Sequence, residues 1–107
     1  MIGGFILKAR QGTGFMDPLY KVRAPEVVDA GFEIGAYDFA TGDNVADNVA
    51  AFLDTVKPDA RTSLWLDFED NTKSEMSMAQ ALEFLDRVDQ KVGRCCGIYG
   101  GNRIKTL

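Results

Sequence analysis

The chain alternates short apolar runs with longer segments of helical periodicity, and this alternation restricts its possible folds more than any other feature. The apolar runs are too short for helices and are bounded by Gly or charged residues, which favours buried strands. They are Phe5–Ala9, Ile34–Ala40, Leu64–Phe68 and Cys95–Gly101. Strands that alternate with helices predict parallel β/α units joined by right-handed crossovers.

Apolar residues recur every three or four positions in two of the intervening segments, as they do along one face of an amphipathic helix. These segments run from Val45 to Val56 and from Met78 to Val92. A shorter helix is predicted to begin near Pro25, because proline suits a first helical turn. The order is therefore β-α-β-α-β-α-β.

The expected ends of these helices can also be read from the sequence. Ser77 with Gln80 three residues later is typical of a capping box, in which each side chain accepts a bond from the other residue's backbone N–H. Gly93 and Gly31 are expected to end the last and the first helix, because glycine tolerates the left-handed conformation that follows many helices.

We therefore expect an α/β fold of about four strands and three helices, in one domain over residues 1–107. A closed barrel of this type needs eight strands and about 200 residues or more. The chain is accordingly either a small open α/β fold or part of a larger body. Exposed strand edges would then favour association with a second copy.

Composition excludes several functions. The net charge is −4 and no Lys/Arg cluster is present to neutralise phosphates, so nucleic acid is not an expected partner. No apolar stretch approaches the ~20 residues of a membrane span, and the N-terminus lacks the order of a signal peptide. Adjacent Cys95 and Cys96 are expected to be reduced strand residues, because a disulfide between neighbours is strained.

Acidic residues follow the most hydrophobic run, at the end of the third predicted strand. Asp67 and Glu69 are two positions apart and so share one strand face, whereas Leu66 and Phe68 are expected to face the helices. Carboxylates this close raise each other's pKa, which favours a general acid. Two other interpretations stay open, a solvated or capping strand end and a divalent-cation site that includes Asp70. The chain has no His, so acid/base chemistry would depend on carboxylates.

Motifs along nearly the whole chain resemble the glycoside hydrolase family 25 lysozymes, the muramidases of phages, bacteria and some fungi. They appear in the family's order: K-A-x-x-G-T from Lys8, D-P at Asp17, A-G and G-A-Y-x-F-A between Ala30 and Ala40, K-P at Lys57 and L-D-x-E from Leu66. This combination is far more specific than D-x-E alone.

The resemblance implies a TIM-type (β/α) barrel, here partial, that cleaves the β-1,4 bond between N-acetylmuramic acid and N-acetylglucosamine in peptidoglycan. Glu69 matches the general acid, and Asp67 matches the carboxylate that assists displacement or orients the acetamido group. Tyr37, Tyr99 and Trp65 are the expected substrate-binding side chains, although Tyr37 could instead only pack inside the barrel. No cofactor or metal is implied. The expected place of action is the bacterial cell wall, after export during phage lysis or release from the cytoplasm.

The sequence departs from the family's pattern in three respects. Asp38 stands where His is usual, and strand parity turns its side chain away from Tyr37. Gln11 stands where Glu is common. The family's first strand, which bears D-x-S, and about three last strands have no counterpart, so the chain corresponds to the middle half of a barrel. A non-catalytic module that binds the cell wall or self-assembles is therefore the alternative function.

Overall fold

The computed structural model describes residues 4–69 and 74–100, which form an open sheet and three helices. In chain order the elements are β1 (Gly4–Gln11), β2 (Phe15–Met16), α1 (Tyr20–Asp29), β3 (Glu33–Phe39), α2 (Val45–Val56), β4 (Thr62–Asp67), α3 (Met78–Val92) and β5 (Gly97–Tyr99).

The sheet has the strand order β2-β1-β3-β4-β5. Strands β1, β3, β4 and β5 are parallel, which confirms the predicted α/β class and its four β/α strands. The sequence did not predict β2, a two-residue strand antiparallel to β1. Its formation depends on a tight turn in which Gly12 takes a φ of 59°, and no hydrophobic periodicity marks so short a strand.

Helix α1 begins at Tyr20, five residues before the predicted start, and Pro25 lies inside it. The Asp17 carboxylate accepts a hydrogen bond from the Leu19 N–H at 2.9 Å and so forms a turn that initiates the helix. The Tyr20 side chain is buried, which favours helix at that point despite the missing N–H of proline. The predicted end is confirmed, because Gly31 follows the last turn with a φ of 86°.

Helices α2 and α3 lie where the periodicity predicts them. The capping box of α3 is confirmed, because Ser77 Oγ accepts from the Gln80 N–H and Gln80 Oε1 accepts from the Ser77 N–H. Gly93 caps its C-terminus with a φ of 81°. At the start of α2, Asn44 Oδ1 accepts from the Asp47 N–H at 3.0 Å.

The core lies between the sheet and these two helices. Leu66 and Phe68 are fully buried there, as strand parity predicts, and the Phe52 and Phe84 rings pack with their centroids 5.9 Å apart. Cys95 and Cys96 are free thiols but precede β5, so the fourth strand is shorter than predicted. Among the described residues, no helix is both long and apolar enough to cross a membrane.

Candidate active site

Two rows of side chains cross the sheet on the face opposite α2 and α3. Residues that are paired in register on parallel strands project from the same face. The row nearer the carboxyl ends of the strands is Gln11, Phe39, Asp67 and Tyr99, and the row below it is Lys8, Tyr37 and Trp65. Parallel α/β sheets bind their ligands at this end. The register therefore groups Asp67 with all three predicted aromatic residues.

An irregularity in β1 determines which of its side chains join these rows. The register with β3 shifts between Lys8 and Arg10, at the fully buried Ala9. Lys8 and Gln11, three positions apart, consequently share the site face, where Lys8 Nζ donates to Gln11 Oε1 at 2.8 Å. Arg10 turns to the helix side and donates to Thr55 Oγ1 of α2. Bulges of this kind redirect side chains next to active sites.

The Asp67 carboxyl is the more buried member of the acidic pair. Its side chain is almost fully buried, whereas Glu69 is half-buried. Burial, followed by a hydrogen bond to Glu69 and the charge of Glu69, raises the pKa of Asp67 to about 7, against the lowering effect of Lys8. A pKa near 7 keeps a proton on Asp67 over much of the range below neutral pH. Within the acidic pair, Asp67 is the residue whose pKa is raised, whereas the sequence resemblance assigns the role of general acid to Glu69.

The three predicted aromatic residues lie together beside this pair. The Tyr99 ring makes edge contacts with Tyr37 and Trp65, at centroid distances of 6.0 and 6.1 Å. Trp65 Nε1 donates to Ser63 Oγ, and its ring lies where a Cβ at Gly97 would collide with it. Burial, followed by the charge of Asp67, raises the pKa of both tyrosines, so their hydroxyls stay protonated.

Lys8 and Phe39 complete the cluster, although neither was singled out from the sequence as a site residue. The Lys8 ammonium lies 5.4 Å from the Phe39 ring centroid and 5.3 Å from that of Phe15 on β2. Both distances fall within the range of a cation–π interaction. The K-A-x-x-G-T motif contains Lys8, but only the bulge and the short β2 strand bring these partners together.

Asp38 lies on the opposite face from Tyr37, as strand parity predicts. Its side chain is fully buried, and its Oδ1 accepts a hydrogen bond from the Gly12 N–H at 3.1 Å. Burial raises the pKa of Asp38 to about 8, against the lowering effects of the Gly12 bond and of Arg10. The residue therefore joins β1 to β3 behind the site and does not enter it.

The three hollows described within residues 4–69 and 74–100 are not lined by Asp67 or Glu69. One of them, about 590 Å³, is lined by Phe32, Glu33 and Arg61 at the amino-terminal ends of the strands, away from Asp67. Asp70, the third member of the predicted cation site, lies outside the described residues. Within residues 4–69 and 74–100, no three His, Cys, Asp or Glu side chains are close enough to hold a metal ion.

Comparisons with known proteins identify the family and the fold of the chain. The family model for glycosyl hydrolases family 25 matches residues 2–106, so the chain belongs to that family. A comparison with curated protein sequences gives no match.

Several solved structures share the fold at low sequence identity. The catalytic domain of an endolysin from bacteriophage P40 of Listeria monocytogenes is 21% identical, with a TM-score of 0.79 over 92% of this chain and 52% of that one. A lysozyme from Streptomyces coelicolor is 24% identical, with a TM-score of 0.79 over 92% of this chain and 52% of that one. A muramidase from Trichobolus zukalii is 24% identical, with a TM-score of 0.77 over 91% of this chain and 53% of that one. The chain therefore spans about half the length of the solved structures that it matches.

Proposed function

We propose that this chain carries the catalytic carboxylates of a peptidoglycan hydrolase that cleaves the β-1,4 bond between N-acetylmuramic acid and N-acetylglucosamine. The observation that carries the proposal is the buried Asp67 beside Glu69 at the end of β4, in a chain of glycosyl hydrolases family 25. Solved structures of the same fold are named lysozyme, muramidase and endolysin, which supports the substrate class. Residues 1–107 then form a single, partial catalytic domain.

In the proposed reaction Glu69 is the general acid. Its half-buried carboxyl delivers the proton of the pair to the leaving glycosidic oxygen while the bond to the sugar carbon breaks. Asp67, then ionised, stabilises the positive charge that develops on the sugar ring or orients the acetamido group. The attacking water supplies the new hydroxyl, and its proton restores the pair.

The aromatic cluster supplies the surface on which the sugar binds. Tyr37, Tyr99 and Trp65 are all half-buried, so each retains an exposed part that can contact the sugar. Because the tyrosine hydroxyls stay protonated, they can donate hydrogen bonds to sugar oxygens or to the ionised carboxylates. The proposed reaction needs no cofactor, and its place is the bacterial cell wall.

A second candidate, a module that binds the cell wall without cutting it, is favoured by one observation. The chain spans about half of each solved structure that it matches. Transition-state stabilisation requires every charged group in place, whereas binding of the ground state requires fewer of them. A stable self-association of two such chains would belong to the same candidate.

Product analysis separates the two candidates. Purified peptidoglycan is incubated with the chain, the new reducing ends are reduced with borohydride, and the sugar alcohols are identified by mass spectrometry. A muramidase produces muramitol ends. A folded chain that sediments with peptidoglycan and releases no sugar alcohol would instead establish the binding module.

A further inference from the structure

The hydrogen bond between Lys8 and Gln11 has no assigned role in the proposed reaction. Its two members come from the two rows of the site, three positions apart in sequence, and face the same side only because β1 shifts its register at Ala9. Gln11 is paired with Phe39, and Phe39 is paired with Asp67. The Gln11 side chain is therefore directed to the row that contains the carboxylate.

The Lys8 ammonium is held from several sides. Gln11 Oε1 accepts its hydrogen bond at 2.8 Å, and the rings of Phe15 and Phe39 lie 5.3 and 5.4 Å away. Gln11 is uncharged, so it fixes the position of the ammonium without neutralising it. A free lysine side chain has several rotatable bonds and would spread its charge over a wide volume.

We propose that Gln11 is a positioning residue, which holds the Lys8 ammonium beside the row of side chains that contains Asp67. An ammonium fixed on this face favours the ionised form of Asp67. The effect of Gln11 on hydrolysis rests on the proposed function, whereas its effect on the Asp67 carboxyl does not. Within residues 4–69 and 74–100, the titratable groups that act on Asp67 are Glu69 from its own strand end, Lys8 from β1, Tyr37 from β3 and Tyr99 from β5. Lys8 is the cation among these groups.

For hydrolysis, the position of Lys8 affects the acid limb of the pH–rate profile. Burial and Glu69 act to keep Asp67 protonated, and Lys8 opposes them. A displaced or neutralised Lys8 would leave Asp67 protonated at a higher pH, where it could no longer stabilise a positive sugar ring. The acid limb of the pH–rate profile would then move to higher pH, with a smaller effect on KM than on kcat.

The test is a carbon-detected NMR titration of the Asp67 carboxyl in the full chain, which requires no enzymatic activity. We expect Lys8→Met and Gln11→Glu each to raise the titration midpoint by roughly half a pH unit or more, because the cation that lowers the pKa of Asp67 is removed or neutralised. Lys8→Arg keeps the charge and is the matched control, with a midpoint near that of the parent chain.

A double-mutant comparison isolates the positioning role of Gln11. Gln11→Met removes the acceptor at similar size, and we expect it to raise the Asp67 midpoint when Lys8 is present and to leave it unchanged in the Lys8→Met background. The proposal is overturned if Gln11→Met leaves the midpoint unchanged in the parent chain, or shifts it equally in both backgrounds. Circular dichroism of each variant establishes folding, and a chain without hydrolytic activity still answers the question.

Discussion

The Asp38 carboxylate accepts a hydrogen bond from the Gly12 backbone N–H at 3.1 Å, across 26 positions of sequence. Its second oxygen, Oδ2, has no hydrogen-bond partner among the described residues, and neither has the side-chain amide of the fully buried Asn48. A buried carboxyl with one oxygen unsatisfied favours its neutral form, which is consistent with the pKa of about 8. Asp38 is thus a structural group behind the site.

The pH dependence of stability follows from this burial. A carboxyl whose pKa is higher in the folded than in the unfolded chain contributes stability at low pH and loses it as the pH rises. For Asp38, with a pKa raised from 3.8 to about 8, the free energy of unfolding should decline across that interval. Asp67 contributes a further decline in the free energy of unfolding, which ends near its pKa of about 7.

Asp38→Asn should remove most of the decline above pH 7. The amide keeps an acceptor for the Gly12 N–H and adds a donor that can reach Asn48. Urea denaturation at several pH values between 5 and 9 measures the effect, and Asp54→Asn on the exposed surface of α2 is the control. An undiminished decline in Asp38→Asn would show that another group causes it.

Gly12→Ala should destabilise the turn that holds Asp38. Gly12 has a φ of 59°, and a Cβ there would collide with the Asp43 carboxylate and the Thr41 hydroxyl. We expect a loss of about 1–3 kcal/mol in the free energy of unfolding, typical of a strained backbone position. Gly14→Ala, in the same turn but with open space around its Cβ, should cost less than about 1 kcal/mol. Equal losses at the two positions would contradict this account.

Ser77→Ala should weaken the start of α3. The change removes the acceptor of the Gln80 N–H, which is 3.1 Å from Ser77 Oγ, and half of the capping box. Loss of an N-cap side chain costs about 1 kcal/mol. Thermal denaturation measures it, and Ser77→Asp, which retains an acceptor, should recover most of the stability. A Ser77→Ala variant as stable as the parent chain would exclude a role for the cap.

Gly97→Ala should displace the Trp65 indole, because the new Cβ would meet its ring at 2.5 Å. Trp65 is the only tryptophan of the chain, so its fluorescence reports on this position alone. We expect a shift of the emission maximum and weaker binding of soluble peptidoglycan fragments, with Gly14→Ala as the control. Emission and binding identical to those of the parent chain would contradict the placement of Trp65 in the site.

Local sequence patterns predicted the helices and parallel strands well where one interaction dominated. The periodicity of α2, the capping box at Ser77 and the glycine after α1 each involve nearby residues, so their physical cause is visible in the sequence. Pro25 was misleading because burial of Tyr20 and the turn at Asp17 outweigh its helix-breaking tendency. Local propensity gives way to tertiary contacts of this kind.

The site was predictable in its acidic part and less so in its cationic part. Strand parity placed Asp67 and Leu66 on opposite faces without any knowledge of the partners. Lys8 and Gln11 share a face only because of the bulge at Ala9, and a bulge depends on pairing with β3, which no local pattern encodes. The proton on Asp67 also depends on burial by surrounding elements, which the sequence order alone does not give.

The most direct test of the central claim measures reducing ends released from purified peptidoglycan by the chain, by Glu69→Gln and by Glu33→Gln. Glu33→Gln makes the same change at an exposed position at the opposite end of the sheet. We predict that the chain releases reducing ends, that Glu69→Gln lowers the rate by about 100-fold or more, as expected for loss of a general acid, and that Glu33→Gln leaves it unchanged. A folded Glu69→Gln variant as fast as the parent, or a folded parent that releases none, would contradict the claim.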